Sequence, residues 1–494
     1  MSNSGKENTR RPTVSRRRFV QVAGATSSVA SLAGCIGGFG GGGDRPEKAD
    51  ADQTIVRQYS GVGANESPEV KDELRESLWN AGLSEDIFVE IVDGPSTTDE
   101  LLNQYRTWLS AGRDEPDILT MDSGWTIPFI QRGQVESLED LLDDSMVSTI
   151  KNDYFDASVA SASSPDGTLY GVPSFPDFPT MQYRKDLVED AGYDTEGWQT
   201  EPMSWTRFAE ITADVKEQHG VKYGYTFQAD SYGGLSCCDF NEWMTTWGGA
   251  YFGGVDNLFG PVNERPVTVN EAGAVKAIEM VRTFIHGEDD KYGMDITGNI
   301  APAATLGWTE ETSRKPFTNG NAVMHRNWPY SIAINGAEDA LGEKLGVMPL
   351  PYGVTESEAQ FPGTGGTASA LGGWNSVVNP NSKKKDAVVE VLKAKMSEEF
   401  QLWQFETLGL LPPKSAVFNS DSARNLPVMG RYMDALQTAG NNAIPRPVTT
   451  AWPDQSGAIA SAVNKALQKG SGNSPQQAMD KLATTLKDIE EQSV

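Results

Sequence analysis

The sequence predicts a two-lobed α/β protein, each lobe a doubly wound, mostly parallel sheet flanked by helices, with a cleft between the lobes. Three observations predict it. Strand-like and helix-like segments alternate at the length of βαβ units through residues 54–120. Residues 171–193, GVPSFPDFPTMQYRKDLVEDAGY, are broken by prolines and then run extended, as a crossing between two bodies would. The 494 residues, with 12 Trp and 18 Phe, suit a large two-lobed body with ample core, although length alone also allows about three domains.

The N-terminus reads as an address. Arg16, Arg17 and Arg18 precede a mildly apolar, alanine- and serine-rich run too short to span a membrane, which is the pattern of a twin-arginine (Tat) export signal. The run ends Leu32-Ala33-Gly34-Cys35, similar to a lipobox in which Cys35 becomes the lipidated first residue. Residues 1–34 are therefore expected to be removed. Residues 35–52, rich in glycine, form a flexible tether that holds the folded body off a membrane.

Formal charge is −27, and without residues 1–34 the balance is 35 basic against 67 acidic residues, or −32. Such an acid excess repels phosphate backbones and excludes nucleic acid as a partner. Because the carboxylates are spread along the whole chain, they read as a solvated surface adapted to high salt. Besides Cys35 there is only the adjacent pair Cys237-Cys238, which fits no zinc site or disulfide framework. The pair reads as two reduced, partly buried thiols, with a vicinal disulfide the less common alternative.

Residues 54–59 are a strand by β-branched content. Ser67 caps a helix with Pro68 at its first position. Residues 87–92 are a second strand, Asp99 caps a helix with Leu101, Tyr105 and Leu109 on one face, and residues 117–120 are a third strand. Ligands of such sheets sit beyond the carboxyl ends of the strands, which points to the loops carrying Glu66, Asp122 and Trp125. Glu66 reads equally well as a carboxylate at a helix N-terminus.

Beyond the crossing, Trp205 opens a helix whose stripe of Phe208, Ile211 and Val215 is core. Residues 242–249, EWMTTWGG, end a helix on glycines and expose Trp247 beside Gly248. Residues 319–330, NGNAVMHRNWPY, give a turn, a short strand and a rigid aromatic loop with Trp328 and Tyr330. Residues 342–353 read as the return crossing. Gly372 and Gly373 before Trp374 leave bare backbone where a ligand approaches. Residues 386–411 are amphipathic helix, stopped by Pro412 and Pro413 at a third crossing. Ser474, Pro475 and Gln477 form a capping box for a final helix buried through Met479, Leu482, Leu486 and Ile489.

Several of these blocks carry a resemblance. The G-V-P-x-F-x-D run into Y-R-K-D-L at residues 171–187, the N-G-x-A-x-M-x-x-x-W-P block at 319–329, the G-G-W turn at 372–374 and Arg446-Pro447 are similar to segments of the extracellular sugar-binding proteins of ABC importers, especially the trehalose/maltose-binding group. The resemblance spans most of residues 54–490. It implies a periplasmic-binding-protein-like class II fold with lobe 1 at 53–175 and 346–413 and lobe 2 at 176–345 and 414–494. It also implies a ligand site built from Glu66, Asp122, Trp125, Phe175, Asp177, Trp247, Gly248, Trp328, Tyr330, Gly372, Gly373, Trp374 and Arg446. Relatives carry an arginine near the second strand–helix loop, where this chain has residues 97–101, so contacts from that loop are not carried over. The physical match is direct: the C–H face of a pyranose fits a flat aromatic ring, while its hydroxyls need carboxylates and arginine.

The resemblance further implies a monomeric, lipid-anchored binding protein on the outer face of the cytoplasmic membrane of an organism such as a halophilic archaeon. Its partners would be a di- or short oligosaccharide and the permease subunits, with no cofactor, metal or catalytic residue. An enzyme is the rival class. The three histidines, His219, His286 and His325, lie in no catalytic motif, while a glycosidase carboxylate pair is invisible in sequence. A surface lipoprotein with a non-sugar ligand would explain the address and tether but not the hinges and aromatic loops.

Overall fold

The computed structural model describes residues 52–59, 67–95, 97–287 and 289–493; Cys35 and Glu66 lie outside them. Two sheets organise these residues. The first holds β1 (Thr54–Tyr59), β2 (Ile87–Val92), β3 (Ile118–Asp122), β4 (Gly171–Asp177), β9 (Ser369–Val378) and β10 (Ala443–Pro445). The second holds β5 (Thr180–Arg184), β6 (Tyr223–Thr226), β7 (Ala322–Asn327) and β8 (Leu345–Met348), in the order β6-β7-β5-β8.

Both sheets are mixed rather than mostly parallel. β1 pairs parallel with β2 and β3, joined by α1 (Pro68–Asn80) and α2 (Thr98–Ser110), but β9 runs antiparallel to β3 and β4. In the second sheet β6 and β7 are parallel, whereas β5 is antiparallel to both β7 and β8. Parallel pairing needs a crossover helix on the same sheet. β5 and β9 instead enter from the other lobe and β4 leaves for it, and such direct crossings leave antiparallel neighbours.

The extended stretch at 171–193 behaves as read: β4 ends in the first sheet at Asp177, and β5 starts in the second at Thr180. The expected return at 342–353 is corrected. Leu345–Met348 pairs with β5 in the second sheet, so the chain returns only between 349 and 368. Asp99 is likewise not a cap; Thr97 accepts from Glu100 N and Asp99 lies in the first turn. Local capping cannot be ranked between two such neighbours without the backbone.

Each sheet face has its own core. Val56, Leu78, Ile118, Val378 and Val391 pack on one face of the first sheet, and Tyr105, Leu119, Phe129 and Val377 on the other. The largest cluster joins α4 (Trp205–His219), α5 (Phe240–Thr246) and α6 (Ala272–His286) to the two C-terminal helices, α7 (Trp452–Leu467) and α8 (Pro475–Gln492), through Phe208, Trp243, Phe284 and Leu486. A short helix, α3 (Asp156–Ser161), borders the cleft.

Cys237 and Cys238 are bonded to each other in a wide turn, Leu235–Asp239, that leads into α5. This corrects the reading as two thiols.

α8 starts as the sequence requires, with Ser474 accepting from Gln477 N and the Gln477 side chain accepting from Ser474 N. Ser474→Ala is expected to lower stability by about 1 kcal/mol, read as a shifted urea midpoint at unchanged m-value.

Candidate functional site

Strand β9 brings the site residues together through its pairing register. Trp374 stands opposite Asp122 of β3 on one side and Phe175 of β4 on the other, and Gly372 stands opposite Asp177. Pro445 of β10 pairs with Leu371, which places Arg446 one residue beyond. Gly373 has φ +137, and a Cβ there would sit 2.9 Å from the Phe175 carbonyl oxygen, so the two strands pass this closely only because the residue is glycine.

Asp122 is buried and accepts from Gly124 N at 2.7 Å. Its carboxylate meets Arg446, with Nη1 to Oδ1 at 2.8 Å. Gly124 makes room for this contact, since a Cβ there would lie 2.7 Å from Arg446 Nη1. The Arg446 segment is held by the second lobe, through Val448 N to Leu258 O and Asn241 Nδ2 to Pro445 O. The pair therefore crosses the cleft. A second crossing contact runs from Gly233 N to Asp99 Oδ2 at 3.3 Å.

A chamber of about 100 Å³ opens beside Trp374, between the first lobe at Ser123 and α3 and the second lobe at Val255 and Phe259. Phe175, Gly372, Gly373 and Arg446 also line it. Asp177 is half-buried, and no hydrogen bond to its carboxylate is recorded among the described residues. Burial holds that carboxyl well above the usual carboxylate range; Arg326 opposes the shift, and Asp122 and Glu310 reinforce it.

Trp328 is half-buried next to β9, where a Cβ on Gly372 would touch its ring edge at 3.0 Å. Beneath its ring lies Arg326, with Cζ 4.9 Å from the centroid. Arg326 is itself buried and held by Glu242 at 2.5 Å, Asp239 at 3.4 Å and Gln228 at 2.8 Å. Burial works against its charge, but Asp239 and Glu242 more than offset this and keep the guanidinium above its ordinary value. Glu242 Oε1 also accepts from Ala370 N of β9 at 3.0 Å, so the network reaches the hinge strand.

Four predicted residues stand elsewhere. Trp125 is buried behind Trp374 among Tyr105 and Phe129, as core. Trp247 donates from Nε1 to Met280 Sδ and packs on the second lobe, and the adjoining Gly248 turns against Ala359; neither lines the chamber. Tyr330 donates to Glu311 at 2.9 Å, and burial raises its hydroxyl's pKa. The sequence reading missed Phe259, exposed beside Gly260-Pro261, and the α3 serines. The Gly-Pro pair was the available signal for Phe259.

A family of bacterial extracellular solute-binding proteins matches the chain over residues 84–430. A probable ABC transporter-binding protein of Deinococcus radiodurans is 28% identical over 397 residues, covering 78% of this chain and 83% of that protein. Maltose-bound MalE3 of T. maritima shares the fold at a TM-score of 0.73 and 27% identity, over 88% of this chain and 99% of its own. A solute-binding protein of Thermotoga lettingae bound with α-D-tagatose has a TM-score of 0.70 at 18% identity, over 89% and 100%, a likeness of fold alone.

Removing Glu242 leaves Arg326 buried with a weaker partner, so Glu242→Leu is expected to cost roughly 3–5 kcal/mol in chemical unfolding at fixed salt. His325, next to Arg326 on β7, stacks on Phe317 with its ring nitrogens near Thr226 and Asn327. Burial lowers its pKa to about 3. Between about pH 6.5 and 3 the unfolded chain therefore binds a proton that the native state refuses, and stability falls as pH falls. His325→Gln is expected to flatten the stability–pH curve in that window by about 1.4 kcal/mol per pH unit, measured against the unsubstituted protein by urea unfolding.

Proposed function

The chain belongs to the bacterial extracellular solute-binding proteins, and from that premise we propose that it captures a di- or oligosaccharide outside the cell and delivers it to the permease of an ABC importer. The observation that carries this reading is the β9 register, which gathers Asp122, Phe175, Asp177, Trp374 and Arg446 on the two walls of one cleft. A sugar needs flat apolar plates together with carboxylate acceptors and a charged donor. Trp374 and Trp328 are the plates, Asp177 is the acceptor without a protein donor, and Arg446 is the donor.

Closure of two lobes over the solute presents a changed outer shape to the permease. Binding of this kind needs no bond-making group in the chain, and the hydrolysis of ATP falls to a partner. The twin arginines, Cys35 and the glycine-rich tether support Tat export followed by lipid anchoring to the outer face of the cytoplasmic membrane, as a monomer. The spread of acidic residues supports a high-salt habitat such as that of a halophilic archaeon. The maltose in the similar MalE3 structure supports a carbohydrate as the solute.

The full chain, in high salt with a panel of mono-, di- and oligosaccharides, is expected to gain about 2.7 kcal/mol of stability at 100 times the dissociation constant of its ligand. Trp328→Ala should abolish the thermal shift, and Asp177→Asn should weaken binding at least roughly tenfold, about 1.4 kcal/mol. Recovery of the sugar uncleaved separates a binder from a secreted glycosidase. Cleavage of the sugar, or the absence of any shift, would overturn the reading.

A further inference from the structure

The two adjacent glycines of β9 are there for different reasons. Gly373 has φ +137, whereas the backbone of Gly372 lies outside the left-handed region and suits any residue. Glycine inside a strand weakens it, so the missing side chain at 372 needs another cause. The direction in which that side chain would point supplies one. A Cβ on Gly372 would lie 3.0 Å from Trp328 Cζ3 and 3.1 Å from Cη2, with the Asp177 carbonyl oxygen at 3.4 Å. Carbon atoms pack best at about 3.5–4.0 Å, so an alanine fits only if the indole gives way by a few tenths of an ångström.

The indole has little room to give. Its main chain is fixed on both sides, by Trp328 N donating to Asn327 Oδ1 at 2.8 Å and by Ser331 Oγ donating to Trp328 O at 2.8 Å. Arg326 lies against the ring face, and Arg326 is itself 1% exposed and held by Glu242, Asp239 and Gln228. Glu242 in turn accepts from Ala370 N, two residues before Gly372 on the same strand. The path closes on itself: β9 holds Glu242, Glu242 holds Arg326, Arg326 backs Trp328, and Trp328 meets β9 again at Gly372. Only the side-chain torsions of Trp328 are free to answer a push on its edge, and turning them tilts the ring.

We propose that Gly372 is a positioning residue for solute binding: its bare Cα is the stop against which the edge of the Trp328 plate rests. A strand of the first sheet thereby sets the tilt of an aromatic wall carried by the second. This rests on the carbohydrate reading above. A binding group has to be held within about 0.5 Å and roughly 10–20° of its productive geometry, so the displacement forced by one added methyl group matters. The glycine at 372 serves Trp328 and not the solute directly.

Calorimetric titration of the purified full chain with maltose, trehalose and cellobiose tests this in three variants: Gly372→Ala, Trp328→Phe and the two combined. Phenylalanine keeps a flat ring but lacks Cζ3 and Cη2. Gly372→Ala is expected to weaken the binding sugar roughly tenfold, whereas adding it to Trp328→Phe should bring no further loss. Equal losses in the two backgrounds would overturn the proposal and leave the carbohydrate reading standing. Should Gly372→Ala fail to fold alone, it is expected to fold together with Trp328→Phe; if the double variant also fails, the clash is not with the indole and the proposal falls. A reading without ligand comes from fluorine NMR of the chain labelled with fluorotryptophan, where the line missing from Trp328→Phe belongs to Trp328. That line is expected to move in Gly372→Ala, and an unmoved line overturns the proposal. If no saccharide binds the unsubstituted chain, the carbohydrate reading falls and takes this one with it.

Discussion

The hydrogen bond from the Ala370 amide to Glu242, at 3.0 Å, ties the strand shared by all parts of the cleft to the buried charges of the second lobe. β9 pairs with β3 and β4 along its length and with β10 at its start. Side chains alternate along a strand, so a slip of one residue would turn Trp374 away from the cleft and set Asp177 opposite the wrong neighbour. Several backbone ladders and one buried carboxylate act on the same strand, and the cleft inherits its geometry from them.

Glu242 can hold β9 because it also holds Arg326. A carboxylate at 1% exposure is costly to leave without a partner. Asp239, whose carboxyl burial pushes well up, stands on the other side of the guanidinium and completes its surroundings. The disulfide Cys237–Cys238 immediately precedes Asp239, so the turn that carries one partner of Arg326 is covalently closed. The same guanidinium backs the ring of Trp328. One cation thus sets a carboxylate, a hinge strand and an aromatic plate.

How much of this was legible depended on how far apart the interacting residues lie in the chain. Ser67 and Ser474 were readable as caps because the whole interaction lies within three residues. The crossing at 171–193 was readable because prolines forbid the alternatives. Leu345–Met348 was misread because a turn-rich segment looks the same whether it leaves a sheet or joins its edge. Trp125 resembled a ligand plate in its loop, but its burial depends on Trp374, which is far along the chain. The Arg326–Glu242 pair spans 84 positions, and nothing local to His325-Arg326-Asn327 announces it. Asp122 and Arg446 were each named from the sequence, yet only the fold shows that they meet.

That meeting bears on how the lobes separate. The proposed site is divided, with Trp374 and Asp177 on the paired strands and Arg446 just beyond β10 on a segment fastened to the second lobe. Parting the lobes breaks the Asp122–Arg446 pair and the Gly233–Asp99 bond, but each freed group regains water, which offsets much of the Coulombic loss. Contacts of this kind position the two walls without locking them. A solute can shift the balance only by as much as it prefers the closed arrangement. If protein contacts alone held the cleft shut, closure would carry no information about loading. Polar contacts that water can replace, over apolar walls that a ligand must fill, keep closure dependent on the ligand.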